Sequence, residues 1–338
     1  MLFLDQHGFE PLLERELQEA KLATREKGTG WVLASPAGRA AETSWLDGLC
    51  FPHFTLLEPQ EIRGDSVNAL AQSIARFFLE SIRGEQIEGP WPCVFLSAAE
   101  QPGLGRRSVS VEKSFHELLR KKLARIARQA STVIPAGRGT SRGLVVYFAD
   151  FERIFVSREI WCAGQRRMSD DPLAPSRSYL KIEEAYVVMG REPGAGQSVC
   201  DLGAAPGGWS YSAARRGARV VAVDNGPLKD GALDNVLIEH RREDAFRYTP
   251  TGRVFDWMFC DLVEEPHHVL TSLVLPWLEH GWCRRFVIIL KFGRTDPIGL
   301  LHEVRGPDSP FTLHARNLRI RHLYHNREEF TVMGDVVL

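Results

Sequence analysis

The sequence predicts an α/β protein in which a domain of βαβ units around a parallel sheet, over 169–338, follows an α+β region over 1–168. Three observations carry this expectation. From 198 onward apolar runs alternate with helical stretches. Four of those runs, 198–201, 220–224, 257–261 and 287–291, each stop at one charged residue: Asp201, Asp224, Asp261 and Lys291. Ahead of them the Pro-rich stretch 169–175 breaks the pattern and marks the main boundary.

Residues 1–90 open on His7-Gly8-Phe9-Glu10 and an amphipathic stretch over 11–22, followed by short apolar runs broken by Gly and Pro, which together suggest a small α+β domain. Residues 91–168 form the next expected domain. A strand over 93–97 and a Gly/Arg-rich loop lead into a helix over 114–129, with Phe115, Leu118, Leu119, Leu123 and Ile126 on one face. Arg120, Lys121, Lys122, Arg125 and Arg128 lie on the other. Two β-type runs follow, 143–148 and 153–156. Beyond the boundary, 178–189 is expected to be helical, and a helix over 209–216 follows a glycine-rich loop.

A composition of 44% hydrophobic and 25% charged residues is that of an ordinary globular chain. No apolar run approaches the length of a membrane span, and Met1-Leu2-Phe3-Leu4-Asp5 has neither a basic leader nor a cleavage site, so a cytoplasmic protein with no membrane partner is expected. A monomer is expected as well. Cys50, Cys93, Cys162, Cys200, Cys260 and Cys283 are scattered without zinc spacing, which predicts reduced thiols and no metal. The net charge of −1 conceals an uneven distribution: residues 94–168 carry 14 basic and 6 acidic side chains. Concentrated positive charge suits a polyanion such as RNA, because phosphate contacts release counterions. A solvated helix face is the competing explanation.

In open α/β sheets, ligands bind at the carboxyl ends of the strands. Asp201 opens Asp201-Leu-Gly-Ala-Ala-Pro-Gly-Gly-Trp209, where Gly203, Gly207 and Gly208 allow positive φ and close approach of backbone to ligand. The loop lacks the G-x-G-x-x-G spacing, and an acid beside it repels a pyrophosphate, which disfavours a nicotinamide dinucleotide. A phosphate-free zwitterion fits better. Asp201 can face an amino group while Asp224 accepts the hydroxyls of an adenosine ribose, and S-adenosyl-L-methionine carries both.

The run D-x-G-x-x-P-G-G-x-x resembles the first motif of the FtsJ-like ribose methyltransferases. That resemblance implies a Rossmann-like catalytic domain and a Lys-Asp-Lys-Glu tetrad, matched in order by Lys181, Asp261, Lys291 and Glu329, with Glu328 as a rival for the last place. The runs 174–185, 223–227, 243–246, 281–283 and 323–329 are similar to the RlmM-type large-subunit ribosomal RNA cytidine 2′-O-methyltransferases. The likeness is strong over 174–291 and 318–331. It is faint over 1–150, where Gly8-Phe9-Glu10 and the element order suggest the ferredoxin-like and THUMP-like RNA-binding modules of that family, and it lapses over 292–315. By resemblance the cofactor contacts are Ser178, Ala205, Pro206, Gly207, Gly208, Asp224, Asp244 and Asp261, in addition to Asp201 and Gly203 from the loop itself. Ala205 stands where some relatives have cysteine, an exchange that a backbone contact tolerates.

Such a reaction needs a donor and a hydroxyl held in line and a base for a poor nucleophile. A lysine serves as base only when neutral. Moving one from about 10.4 to about 7.5 amounts to roughly 4 kcal/mol, which burial and a second cation could supply to Lys291 at a buried strand end. Lys181 then orients or neutralises the reacting oxygen, Asp261 holds the amines and lines the methyl path, and Glu329, on the penultimate strand pairing back into the sheet, fixes a lysine. Only 8 of the 42 basic residues are lysines, and two of them fall at tetrad positions. Two alternatives stay open: a methyltransferase acting on another RNA site, a base nitrogen or carbon, or on a protein, and an RNA-binding or ribosome-assembly protein with a vestigial catalytic half.

Overall fold

The computed structural model describes residues 1–36, 43–98, 101–134, 137–252 and 254–337. The chain divides into two compact units, Met1–Asp47 with Phe51–Gly164, and Gly48–Cys50 with Gln165–Leu338.

The first unit runs β1 (Leu2–Leu4), α1 (Glu10–Glu19), β2 (Leu22–Gly28), β3 (Trp31–Pro36), β4 (Phe54–Leu57), β5 (Gln60–Arg63), α2 (Val67–Ser81), β6 (Trp91–Ser97), α3 (Leu104–Lys122), α4 (Ala124–Gln129), β7 (Ala130–Ser131), β8 (Arg138–Phe148) and β9 (Arg153–Ala163). Its sheet has the order β2-β3-β1-β4-β9-β8-β6-β7, with β5 also on β9. The sheet therefore runs straight across the division expected at 90. Strand β9 is long enough to pair with β8 on one edge and with β4 and then β5 on the other. Two separate domains would leave those edges open, and an open edge invites pairing with other chains.

Helix α3 begins ten residues earlier than its sequence suggests. Leu104, Ser108, Val111, Phe115 and Leu119 are all buried, and their steps of three and four residues make one continuous stripe. Gly105, the adjacent arginines and the serines disguise it as a loop. The helix stops at Leu123, whose extended φ of −141° separates it from α4. Arg120, Lys121, Lys122, Arg125 and Arg128 are exposed on these two helices. On α2, the Ser66 hydroxyl accepts from the Ala69 N–H as an N-cap, and Phe78 stacks on Trp91 at 4.8 Å.

The second unit contains α5 (Tyr179–Met189), β10 (Ser198–Leu202), α6 (Gly208–Arg215), β11 (Arg219–Val223), β12 (Ile238–Arg241), β13 (Trp257–Cys260), β14 (Arg285–Lys291), β15 (Ala315–Arg321) and β16 (Glu329–Val336), with short helices between the later strands. The sheet order is β12-β11-β10-β13-β14-β16-β15. Its first five strands are parallel and β16 returns antiparallel to β14, so the unit is a Rossmann-like fold closed by an antiparallel hairpin. Among the described residues β16 is the last strand rather than the penultimate one, and it lies next to the sheet edge. Continuous apolar runs such as Phe286-Val-Ile-Ile-Leu290 reflect burial on both faces. Ile182 and Ala185 of α5 and Trp209 and Ala213 of α6 pack with Val199, Trp257, Val287 and Met333. That packing seats the first turns of both helices at the carboxyl ends of the strands.

All six cysteines are buried and free of disulfides. No helix among the described residues is long and apolar enough to cross a membrane.

Candidate active site

Four chain segments deliver four charged side chains to one place. Lys291 ends β14, and the antiparallel register sets it directly opposite Glu329, the first residue of β16. Asp261 immediately follows β13, and Lys181 sits in the first turn of α5. The Lys181 ammonium lies 2.6 Å from Glu329 Oε1 and 3.3 Å from Asp261 Oδ2. That of Lys291 lies 2.5 Å from Asp261 Oδ1 and 3.1 Å from Glu329 Oε2. Each acid therefore bridges both lysines in a closed, charge-neutral ring. Its side chains are between 6% and 21% exposed, so loss of any one would leave the others paired but the partly buried ring with one net charge uncompensated. Glu328 is exposed, whereas Glu329 is buried.

Burial opposes ionisation of the two acids, but Lys181 and Lys291 outweigh it and hold both carboxyls below their usual range. For Lys291 burial likewise opposes the charge, and the Asp261 and Glu329 carboxylates overcome it, so its pKa is raised above that of an ordinary lysine. This corrects the lowered value expected from the sequence. That expectation relies on a second cation beside Lys291, but Lys181 lies across the two carboxylates, which are the groups in contact.

The glycine loop turns out of β10 as expected. Gly203 has φ of +80°, and a Cβ there would lie 2.5 Å from the Leu262 side chain, next to Asp261. Gly207 has φ of +107°, and a Cβ added to it would lie 2.5 Å from that of Ala232. Asp224, directly after β11, accepts from the N–H groups of Ala205 at 3.0 Å and Gly226 at 2.7 Å, which ties the loop to the next strand. Asp244 is exposed in the turn after β12, where it accepts from the Phe246 N–H. Asp201 departs from its expected place. It is 1% exposed beneath the loop and accepts from the Ser210 hydroxyl at 2.6 Å, so it braces α6 instead of facing an amino group. Burial pushes its carboxyl up to about 7 against that hydrogen bond.

Ser178, expected as a cofactor contact, also touches the ring, while Ser176 and Glu184 escape sequence reasoning. The Ser178 hydroxyl donates to Asp261 Oδ2 at 2.6 Å, which joins this expected cofactor residue to the ring. The Ser176 hydroxyl is buried near Gly208, with no hydrogen-bond partner among the described residues. Glu184 is fully buried on α5. It stands three residues beyond Lys181, the one signal available in the sequence, since such neighbours share a helix face.

The FtsJ-like methyltransferase family model matches residues 174–279, which contain Lys181, the glycine loop and Asp261. A ribosomal RNA large subunit methyltransferase M of Alkalilimnicola ehrlichii is 35% identical, over 82% of this chain and 75% of that protein. Its namesake from Xanthomonas oryzae pv. oryzae is 32% identical over 97% of this chain and 96% of that one. The chain belongs to this family. As a member of the ribosomal RNA large subunit methyltransferase M family, it is a methyltransferase that uses S-adenosylmethionine. The loop suits that cofactor: it presents backbone where side chains at Gly203 and Gly207 would clash, an unpartnered Ser176 hydroxyl beside Gly208, and the Asp224 carboxylate at the end of the neighbouring strand.

Proposed function

We propose that this member of the family methylates a ribose 2′-hydroxyl in ribosomal RNA, a cytidine of the large subunit, with Lys291 as the base. The observation that carries the reading is the closed Lys181-Asp261-Lys291-Glu329 ring at the carboxyl ends of β13 and β14. The glycine loop from Gly203 through Ala205, Pro206, Gly207 and Gly208, with Asp224 and Asp244, would hold the cofactor, and Ser178 and Asp261 would line its reactive end. Asp201 acts from beneath by bracing α6 through the Ser210 hydroxyl. The cofactor supplies a methyl group already activated by a positively charged sulfur.

What remains for the protein is to place a hydroxyl in line and remove its proton. Lys291 is suited because its loss of a proton does not strand its partners: Asp261 and Glu329 are both still paired with Lys181. Lys181, in contact with both acids, steers the hydroxyl oxygen. In an arginine-rich chain the choice of lysine at both positions matters, because a guanidinium has no accessible neutral form.

Methylating ribosomal RNA with labelled cofactor and mapping the product tests the reading. A ribose product blocks alkaline cleavage at a single phosphodiester and leaves the free base unlabelled. Label recovered on a nucleobase or on protein would refute it.

The exposed basic face of α3 and α4 supports RNA engagement by the first unit. Reversing the charge of Arg120, Lys121 and Arg125 together should weaken RNA binding and reduce its salt dependence by about three phosphate contacts, with cofactor affinity unchanged. RNA affinity indifferent to all three reversals would leave that face a solvated surface.

A further inference from the structure

Glu184 is a buried acid that the chemistry above does not use. Its side chain is 0% exposed, and its carboxylate accepts three backbone N–H groups: Arg166 at 3.0 Å and Tyr324 at 3.0 Å on Oε1, and His325 at 3.2 Å on Oε2. Burial pushes the carboxyl up to about 8 against these three bonds. Keeping such a group inside the protein is costly unless it is fully hydrogen-bonded, and its partners here are amides of two irregular segments that have no ladder to satisfy them.

Both segments bear on the ring. Tyr324 and His325 open the turn that ends at Glu329. The rest of that turn is self-supporting: Asn326 Oδ1 accepts from the Leu323 N–H at 2.8 Å and the Thr331 hydroxyl at 3.0 Å, and the Arg327 N–H reaches Glu329 Oε1 at 3.4 Å. Met168 N–H donates to His325 Nε2 at 2.9 Å, so the two segments clamped by Glu184 are also joined to each other. On the helix side, Glu184 lies one turn from Lys181. One carboxylate therefore fastens the segment that carries Glu329 to the helix that carries Lys181, across the 2.6 Å pair those two residues make.

We infer that Glu184 is a positioning residue for methyl transfer: by clamping the Tyr324–His325 backbone to α5 it sets how closely Glu329 holds Lys181 and Lys291. This rests on the ring being the catalytic machinery. Lys291 is faced by Asp261 from the end of β13 and Glu329 from β16, with Lys181 of α5 across both acids. Glu329 is thus one of the two groups that hold the Lys291 proton on. If the clamp loosens, Glu329 retreats and Lys291 releases its proton at lower pH, while the loss of alignment slows turnover.

Glu184→Gln is the informative change, because it keeps size and one acceptor oxygen but sets an amide NH2 against a backbone N–H. The full-length variant, assayed on ribosomal RNA with saturating cofactor, should lose about ten- to a hundred-fold in kcat, as expected for misplacement of reacting groups by a fraction of an ångström to one ångström. KM for the cofactor should be unchanged. Its pH–rate limb should move to lower pH than the wild type's. Combined with Glu329→Gln it should cost no more in kcat than Glu329→Gln alone, since both act through the same carboxylate. A wild-type kcat and pH limb with only a lowered Tm, or losses that multiply in the double variant, would overturn the inference. Should Glu184→Gln not fold, Glu184→Asp, which keeps the carboxyl group but withdraws it by one methylene, is measured in the same way and should move the limb in the same direction. A Lys291→Arg control separates the two layers. If the limb persists in that variant, the reading of the ring fails; if it vanishes there but Glu184→Gln leaves it in place, only the role of Glu184 fails.

Discussion

Replacing Lys291 by arginine should abolish methyl transfer nearly as completely as replacing it by alanine, with a fall in kcat on the order of 10²–10⁴-fold for loss of a general base. Arginine preserves the positive charge and can still pair with Asp261 and Glu329, so a purely electrostatic role would survive the change. It cannot present a neutral nitrogen. Both variants should bind cofactor as the wild type does, because the loop and Asp224 lie on other strands. In the wild type, rate should rise with pH as Lys291 gives up its proton. The two carboxylates hold that proton on above the usual lysine range in the free protein, so the limb seen in the cofactor-loaded complex, with positive charge added beside the ring, should lie at lower pH than the proton affinity of Lys291 in the free protein. The limb should vanish in both variants. Substantial turnover by Lys291→Arg at saturating cofactor and RNA would transfer the base role to Lys181, Asp261 or water.

Asp224→Ala should weaken cofactor binding by about 1.5–3 kcal/mol, roughly ten- to more than a hundred-fold, through loss of charge-assisted hydrogen bonds. The upper part of that range is expected, because the same carboxylate also holds the Ala205 and Gly226 N–H groups, and without it the loop loses its tie to β11. Calorimetry with S-adenosylmethionine checks this directly. An unchanged affinity would mean that the loop backbone alone recognises the cofactor.

How much of the fold and site is legible in the sequence depends on whether the determinant is local. The carboxyl ends of β10, β11, β13 and β14 stand out because buried parallel strands read as unbroken apolar runs and the next residue is charged. The ring residues are reachable through motif likeness, and only the β14–β16 register shows why Glu329, not Glu328, completes them. Other features leave no local trace. The pairing of β4 with β9 joins residues about a hundred positions apart, so a boundary at 90 looks natural. The first turns of α3 hide behind glycine and serine because tertiary contacts at Leu104 and Val111, not propensity, make them helical. Asp201 cannot be told from a ligand-facing acid, since that depends on whether its side chain points above or below the loop. The direction of the Lys291 shift is hidden for a similar reason: a set of nearby charges does not say which ones touch.

The antiparallel pair β14–β16 carries a consequence for how the sheet finds its alignment. Every residue of β16 is buried, on both faces of the sheet. In a half-exposed strand a slip by one residue turns the apolar set to water and is strongly disfavoured, but a strand buried on both sides loses much of that penalty. Charge supplies what hydrophobic pattern cannot. Lys291 stands opposite Glu329 at one end of the ladder and Arg285 opposite Asp335 at the other, with the latter pair 3.6 Å apart. A slip that brought Phe330 opposite Lys291 would set Val336 against Arg285 and break both pairs, leaving two lysines to share Asp261, whereas the opposite slip would give Lys291 the Glu328 carboxylate but set Gly334 against Arg285. The groups proposed to perform the chemistry thus also act as a vernier for the strand that completes the sheet, so that a molecule paired out of step would lose one or both of these pairs.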